Sequence, residues 1–313
     1  MVLIVGLFAM CAVADMRNKN YWKYVESDKP IEKKYIALGD KEVSEYSKPD
    51  SKYGKIEIWY PSEMKDSNAK YPLVIMANGT GIKASAYTEV FRHLASWGFI
   101  VAGNEDENSR SGASSEATLE YVLQLNSESG SILSGKIDTE NIGIAGHSQG
   151  GVGAINAVAE QPSGYKYKAI WTASATSRYH AKNLDVEAAE KGENYGSWVC
   201  DPSGIDIPCF MVAGTGYMDA GNMNEYTESL GKDEAQGICP QWWLNECYNA
   251  VQSEIKITAR RKDKDHGDML RWADGYMTAW FMYHLKGETL ADFFSGSTAE
   301  ILSNKNWQDV KNG

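Results

Sequence analysis

The chain has 313 residues, a formal net charge of −11 and 43% hydrophobic residues. This length suits one large α/β domain or two small ones, and the apolar share is enough for a sizeable core. The acidic balance argues against nucleic acid and anionic membranes as partners, because binding to either gains its energy from positive charge on the protein.

An apolar N-terminal run covers residues 2–14, and polarity begins abruptly at Asp15. A run of about 13 residues is too short to span a bilayer comfortably but matches the apolar core of a signal peptide. The Ala-Val-Ala sequence at 12–14 fits a cleavage site, so we expect an exported protein whose residues 15–313 form a single catalytic domain. An uncleaved anchor and lipidation at Cys11 stay open as alternatives.

Cysteine usage agrees with export. Four cysteines lie beyond the apolar run, namely Cys200, Cys209, Cys239 and Cys247. The short spacings favour the disulfides Cys200–Cys209 and Cys239–Cys247, although four cysteines allow three pairings. A metal site is the alternative interpretation, but the spacings are not C-x₂-C and no histidine lies beside the cysteines.

Strand and helix patterns alternate from about residue 50 onward, after a polar segment that we expect to wrap the surface. The predicted strands are 55–60, 73–77, 99–103, 142–146, 168–173, 207–213 and 254–259, and the predicted helices are 84–96, 114–126, 150–160 and 273–285. This alternation predicts an α/β fold with a mostly parallel sheet flanked by helices.

Two longer segments, 175–206 and 217–250, interrupt this alternation and are rich in Gly, Asn and aromatic residues. Both follow the carboxyl ends of predicted strands, where ligands bind in open α/β sheets. We expect them to be loop insertions near an active site, with surface elaboration held by the cysteines as the alternative.

The most informative motif is Gly-His-Ser-Gln-Gly-Gly at 146–151, directly after the predicted strand 142–146. A serine in G-x-S-x-G between a strand and a helix lies on a sharp turn that lifts its hydroxyl clear of the sheet. The motif predicts that Ser148 is a nucleophile.

A serine nucleophile needs a base, and His266 is the candidate among five histidines. It lies in a polar loop between the last predicted strand and the last predicted helix. His93 and His284 lie within helical patterns, His147 lies inside the serine motif, and His180 precedes any plausible acid.

The acid that orients this base is predicted to be Asp219, just beyond the strand 207–213. The order Ser, Asp, His along the chain is the one that suits this fold. Glu225 and Asp206 are the alternatives.

An oxyanion hole needs two backbone N–H groups aimed at one point. Gln149 follows the nucleophile and supplies the first candidate. Thr80, in the glycine-rich turn after the strand 73–77, supplies the second.

With these residues placed, the chain resembles the α/β-hydrolase superfamily, and within it the bacterial cutinase and PET (polyester) hydrolase-like group, close to dienelactone-hydrolase-related esterases. The stretches that carry the resemblance are 71–79, 94–101, 137–151 and 279–287, and the nucleophile segment 137–151 is the most specific of them. The resemblance implies hydrolysis of carboxylic esters by Ser148, Asp219 and His266, with no metal or organic cofactor.

Three positions depart from this group. Thr80 stands where polyester hydrolases usually carry Tyr or Phe, and Gln149 stands where they usually carry Met. The segment after the strand 168–173 lacks the substrate-clamping Trp of the group. Aromatic residues of the insertions could form the walls of the substrate site instead, namely Trp198, Trp242, Trp243 and Tyr248. The alternative is that a buried Trp only packs the interior.

The sequence therefore predicts an exported, monomeric serine esterase that acts on a small-molecule or polymeric ester, without nucleic acid or a partner protein. A peptidase or amidase that uses the same three residues is one alternative. A catalytically silent binding protein on a hydrolase fold is the other.

Overall fold

A computed structural model of the chain describes residues 19–289 and 293–313. Within these residues nine strands form one sheet in the order β1-β2-β4-β3-β5-β6-β7-β8-β9. The strands are β1 Val43–Asp50, β2 Gly54–Pro61, β3 Tyr71–Ala77, β4 Ile100–Asn104, β5 Ile137–His147, β6 Tyr167–Ala173, β7 Cys209–Gly214, β8 Lys256–Arg261 and β9 Trp307–Asn312. The six strands β3 to β8 are parallel to their neighbours within this group, whereas β1, β2 and β9 pair antiparallel at the edges.

Helices cover both faces of the sheet. They are α1 Pro30–Ile36, α2 Thr88–Ser96, α3 Ala113–Ser127, α4 Gln149–Ala159, α5 Arg178–Glu190, α6 Tyr217–Ala220, α7 Gln241–Ala250, α8 Met269–Trp272 and α9 Asp274–Lys286. Side chains of β3 alternate between the two cores: Val74 and Met76 pack with α1, α2 and α9, while Leu73 and Ile75 pack with α3, α4 and α7. This alternation follows from the two-residue period of a strand, and it explains why the central strands are apolar throughout.

The seven predicted strands and four predicted helices are all present, with ends shifted by a few residues. The two antiparallel edge strands β1 and β9 were not predicted, and neither was α1. The segment before residue 50 does not simply wrap the surface: Tyr21, Tyr35 and Ile36 are buried in the core beside α9. The predicted N-terminal segment 1–14 lies outside the described residues. Within the described ranges, no helix is both long enough and apolar enough to cross a bilayer.

The insertions contain regular structure of their own. The first, 175–206, includes α5, and the second, 217–250, includes α6 and α7. An antiparallel bridge between Gly221 and Gln236 closes the second insertion at its base. The first insertion begins just after the end of β6 and the second just after the end of β7. Both therefore start at the carboxyl ends of parallel strands, as expected from their positions in the sequence.

A buried ion pair holds the N-terminal segment against α2 and α9. His93 Nδ1 lies 2.7 Å from the carboxylate of Asp274, and its Nε2 lies 3.0 and 2.9 Å from the carbonyl oxygens of Ile36 and Ala37. Tyr21 donates its hydroxyl to the same carboxylate over 2.5 Å. Because both ring nitrogens face acceptors, His93 is an imidazolium. Burial alone would lower its pKa, but Asp274 and the hydrogen bonds raise it.

A second buried contact joins α1 to the end of the chain. The carboxylate of Glu32 is fully buried and accepts hydrogen bonds from Arg261, Asn304 and Trp307 at 3.2, 2.7 and 2.7 Å. Each partner is a donor, so the carboxylate is compensated by three hydrogen bonds and one opposite charge. This contact and the His93 pair together close the N-terminal segment over the sheet.

The His93 pair predicts an unusual pH dependence of stability. The free energy of unfolding should start to fall as the pH rises above about 6.5, the ordinary pKa of histidine. It should continue to fall as the pH passes the raised pKa of His93 in the folded protein. Urea unfolding from about pH 6 to about pH 9 measures this loss. His93→Gln should abolish it. His284→Gln should retain it, because burial lowers the pKa of His284 to about 4 and keeps that ring neutral over this range. An unchanged slope in His93→Gln would contradict the assignment.

The predicted disulfides are not formed. All four cysteines, Cys200, Cys209, Cys239 and Cys247, are free thiols buried in one core cluster with α3, α4 and α7. Burial raises the pKa of Cys200 to about 12 and also raises the pKa of the other three thiols. The thiols are protonated at neutral pH, and a protonated thiol does not enter disulfide exchange. The short spacings used for the prediction carry no information on burial.

These thiols should be unreactive in the folded protein. Iodoacetamide at neutral pH should leave Cys209 and Cys247 unmodified until urea is added, and then alkylate them without a reductant. Peptide mapping by mass spectrometry reads both states. Alkylation that requires prior reduction would contradict the structure and restore a disulfide.

Candidate active site

Ser148 lies at a strained turn between β5 and α4. Its backbone has φ 59° and ψ −123°, a region that non-glycine residues rarely adopt. A Cβ on Gly146 would lie 2.0 Å from the carbonyl oxygen of Gly150, and a Cβ on Gly150 would lie 2.1 Å from that of Ala77. The two glycines therefore allow α4 to approach β5 and β3 closely enough to make the turn.

The structure brings Ser148, His266 and Asp219 together, although they are far apart in the chain. Ser148 Oγ lies 2.9 Å from His266 Nε2, and His266 Nδ1 lies 2.8 Å from Asp219 Oδ1. His266 and Asp219 are 2% and 0% exposed. The alternative acids Glu225 and Asp206 are exposed. Asp219 accepts the hydrogen bond that His266 donates from Nδ1. His266 Nε2 is therefore left to accept the proton of the Ser148 hydroxyl.

The second oxygen of Asp219 is also engaged. Asp219 Oδ2 accepts hydrogen bonds from Ser174 Oγ and from the backbone N–H of Gly214, each at 2.6 Å. Burial alone would raise the pKa of Asp219, but His266 and these hydrogen bonds outweigh burial and lower it. Asp219 is therefore an anion at neutral pH, held on both oxygens.

Asp265, the residue before His266, ties the segment that carries the acid to the segment that carries the base. Its carboxylate accepts the backbone N–H groups of Met218, Asp219 and His266 at 3.1, 2.9 and 2.8 Å. Three hydrogen bonds to one carboxylate fix the distance between the two segments. The prediction from sequence did not include this residue; its place one position before His266 was the only local signal.

His147 forms a hydrogen bond to the backbone of His266. Its Nε2 donates to the carbonyl oxygen of His266 over 2.8 Å, and the two rings are 4.8 Å apart. Burial, with a smaller contribution from the nearby charge of His266, lowers the pKa of His147 to about 3. His147 is thus neutral, and it contacts the backbone of His266 rather than the serine hydroxyl.

Hydrogen bonds hold the turn after β3, which carries the half-buried Thr80. Gly79 donates its N–H to the buried hydroxyl of Tyr87 over 2.6 Å, and the Asn78 side chain donates to the carbonyl oxygens of Asn104 and Asp106. Among the described residues, no acceptor pairs with the backbone N–H of Thr80 or of Gln149. Both predicted oxyanion donors therefore have an N–H that the fold itself does not use. Tyr87, which directly precedes α2, was not predicted, because its role depends on which backbone group its hydroxyl reaches in the fold.

Three of the four predicted aromatic wall residues are placed differently from expectation, and the fourth, Tyr248, is half-buried beside Lys256. Trp198, Trp242 and Trp243 are 8%, 6% and 4% exposed, so they pack the interior beneath the insertions. Trp198 stacks with Arg110, and Trp242 donates its indole N–H to Gln236. This corrects the expected role: side chains so deeply buried do not form an open substrate wall. The alternative interpretation of a Trp that only packs agrees with the structure.

The structure predicts that Asp265 matters for stability. Asp265→Ala should lower the free energy of unfolding by about 2–4 kcal/mol, because three N–H groups lose a charged acceptor. Asp265→Asn should lose less, since its amide oxygen still accepts. Urea unfolding of both variants beside the wild type measures the difference. Equal stability of all three proteins would show that the carboxylate does not join the two segments.

Comparison with known proteins adds one match. The model of a family described as PET hydrolase-like matches residues 32–182. The search of curated proteins found no match. The matched range contains Thr80, Ser148 and Ser174 but ends before Asp219 and His266. The predicted resemblance to PET hydrolase-like proteins is confirmed over this range, and the chain has the predicted α/β-hydrolase fold. The family implies a hydrolase that acts on esters.

Proposed function

We propose that this α/β-hydrolase is a serine carboxylic ester hydrolase that works through an acyl-enzyme. The observation that carries the proposal is the continuous hydrogen-bonded chain from Ser148 through His266 to Asp219. It starts at a serine on a strained turn and ends at a buried carboxylate, which is the arrangement that activates a hydroxyl for attack on a carbonyl.

In the first half-reaction, Ser148 Oγ attacks the ester carbonyl while His266 Nε2 takes the hydroxyl proton. The negative charge that develops on the carbonyl oxygen is stabilised by the N–H groups of Thr80 and Gln149. Asp219 stabilises the imidazolium without taking its proton. The tetrahedral intermediate then expels the alcohol, which receives the proton from His266.

In the second half-reaction, His266 takes a proton from water, and the resulting hydroxide attacks the acyl-enzyme. The carboxylic acid leaves as Ser148 Oγ regains the proton. All groups that this cycle needs are side chains and backbone N–H groups of the chain, so we propose that no cofactor takes part.

We further propose that the enzyme is exported and acts as a monomer with one catalytic domain. The similarity to PET hydrolase-like proteins supports an ester substrate, small or polymeric. The buried positions of Trp242 and Trp243 give no support to an aromatic cleft built from the insertions.

Hydrolysis of p-nitrophenyl esters, from acetate to palmitate, tests the proposal. The wild type should hydrolyse at least the shorter esters, and Ser148→Ala should lose activity by about 10⁴-fold or more, since the three residues act as a unit. The dependence on acyl length measures the size of the acyl site.

Two outcomes would contradict an esterase. Faster cleavage of matched anilides than of esters would favour an amidase. Failure of the wild type to hydrolyse any ester and to react with an active-site phosphonate would favour a silent binding protein.

A further inference from the structure

The ends of β5, β6 and β7 repeat one hydrogen-bond pattern across the sheet. The first residue after β5, Ser148, donates its N–H to the carbonyl oxygen of Ala173 over 2.9 Å, and the first residue after β6, Ser174, donates to that of Val212 over 2.7 Å. The first residue after β7, Thr215, donates its N–H to the carbonyl oxygen of Lys264 over 2.8 Å, and Gly214, the last residue of β7, donates to the carboxylate of Asp219. Ser174 therefore stands between the nucleophile and the acid, in the same position on its strand as Ser148.

Ser174 also shares the backbone strain of the nucleophile. Its φ is 52°, in the left-handed region, and the residue is fully buried. A non-glycine residue in this region costs about 1–3 kcal/mol, which the surrounding structure must offset. Glycine would remove the strain at no steric cost, so the presence of a side chain here needs a separate reason.

The hydroxyl supplies that reason. Ser174 Oγ lies 2.6 Å from Asp219 Oδ2. An ionised carboxylate only accepts hydrogen bonds, so the serine must be the donor. With Ser174 and Gly214 on Oδ2, the carboxylate is turned so that Oδ1 faces His266.

We propose that Ser174 is a positioning residue that sets the orientation and the charge of Asp219, and through Asp219 the basicity of His266. This inference rests on the proposed function of the Ser148–His266–Asp219 chain. The hydroxyl acts in two ways: it prevents rotation of the carboxylate, and it withdraws negative charge from Asp219 that would otherwise hold a proton on His266.

The titratable groups that face this pair bear on the test. They are Asp265, His147, His180 and Cys239. Among the described residues, the hydrogen bond of the Ser174 hydroxyl goes to Asp219 and not to any of these groups, so replacing that hydroxyl removes none of their own hydrogen bonds.

Removing the hydroxyl should change both rate and pH dependence. In Ser174→Ala we expect kcat for a p-nitrophenyl ester to fall about tenfold, because one hydrogen bond to a charged group is lost, with KM changed less than about twofold. The acidic midpoint of the kcat/KM profile should move up by about half a pH unit, because a more negative Asp219 retains the proton on His266.

Two further variants separate the hydroxyl from the backbone. Ser174→Gly removes the hydroxyl and relieves the strain, and it should show the same pH shift as Ser174→Ala. Thr172→Val removes a buried hydroxyl from the same strand, one that has no hydrogen-bond partner among the described residues, and it should retain the wild-type profile. If Ser174→Ala does not fold, Ser174→Gly carries the test alone.

A spectroscopic measurement keeps the test independent of the substrate. The NMR signal of the His266 Nδ1 proton, followed against pH, should titrate at higher pH in Ser174→Ala and Ser174→Gly than in the wild type and Thr172→Val. A wild-type profile and signal in both Ser174 variants would overturn the proposal. A wild type that hydrolyses no ester would overturn the proposed function instead, while the NMR titration would still decide the role of Ser174.

Discussion

Parallel pairing of four consecutive strands, β5 to β8, is the constraint on which the site depends. Parallel strands end at the same edge of a sheet, so residues separated by long stretches of chain arrive side by side. Ser148 follows β5, Ser174 follows β6, Asp219 follows β7 and His266 follows β8. Each strand contributes one member, and the order of the members across the sheet is their order along the chain.

Precision at this edge comes from short-range contacts laid over that pairing. Two adjacent strand ends, at Ser148 and Ser174, turn through left-handed backbone conformations. Asp265 then fixes the acid segment to the base segment, and Tyr87 fixes the turn that carries Thr80. The sheet brings the groups near one another, and these contacts reduce the remaining freedom to a single arrangement.

The strands that could be predicted most readily are those covered by helices on both faces of the sheet. The central strands are nearly continuous apolar runs in the sequence, as expected for strands covered on both faces. The edge strand Val43–Asp50 is exposed or half-buried along its length, so its sequence resembles that of a polar loop. The chain order and the G-x-S-x-G motif were enough to select Ser148, Asp219 and His266 as candidates, and the fold brings these three side chains into hydrogen-bond contact. Ser174 could not be predicted, because its role depends on a hydrogen bond to Asp219 in a distant segment. Tyr87 contacts Gly79, which is close in the chain, but no pattern in the sequence indicates which backbone group its hydroxyl reaches. Burial of the cysteines as free thiols was missed for a related reason, since spacing along the chain does not report depth. Burial of the tryptophans was foreseen only as the alternative.

The two buried contacts of the N-terminal segment impose an order on the folding of a newly made chain. Glu32 and His93 are synthesised well before their partners Asp274, Asn304 and Trp307, which lie much later in the chain. Until then, the early carboxylate and the aromatic residues beside it lack the surface that covers them in the finished protein. Vectorial synthesis can thus complete the middle of the sheet before its N-terminal cover, and closure of that cover must await synthesis of residues 274–307.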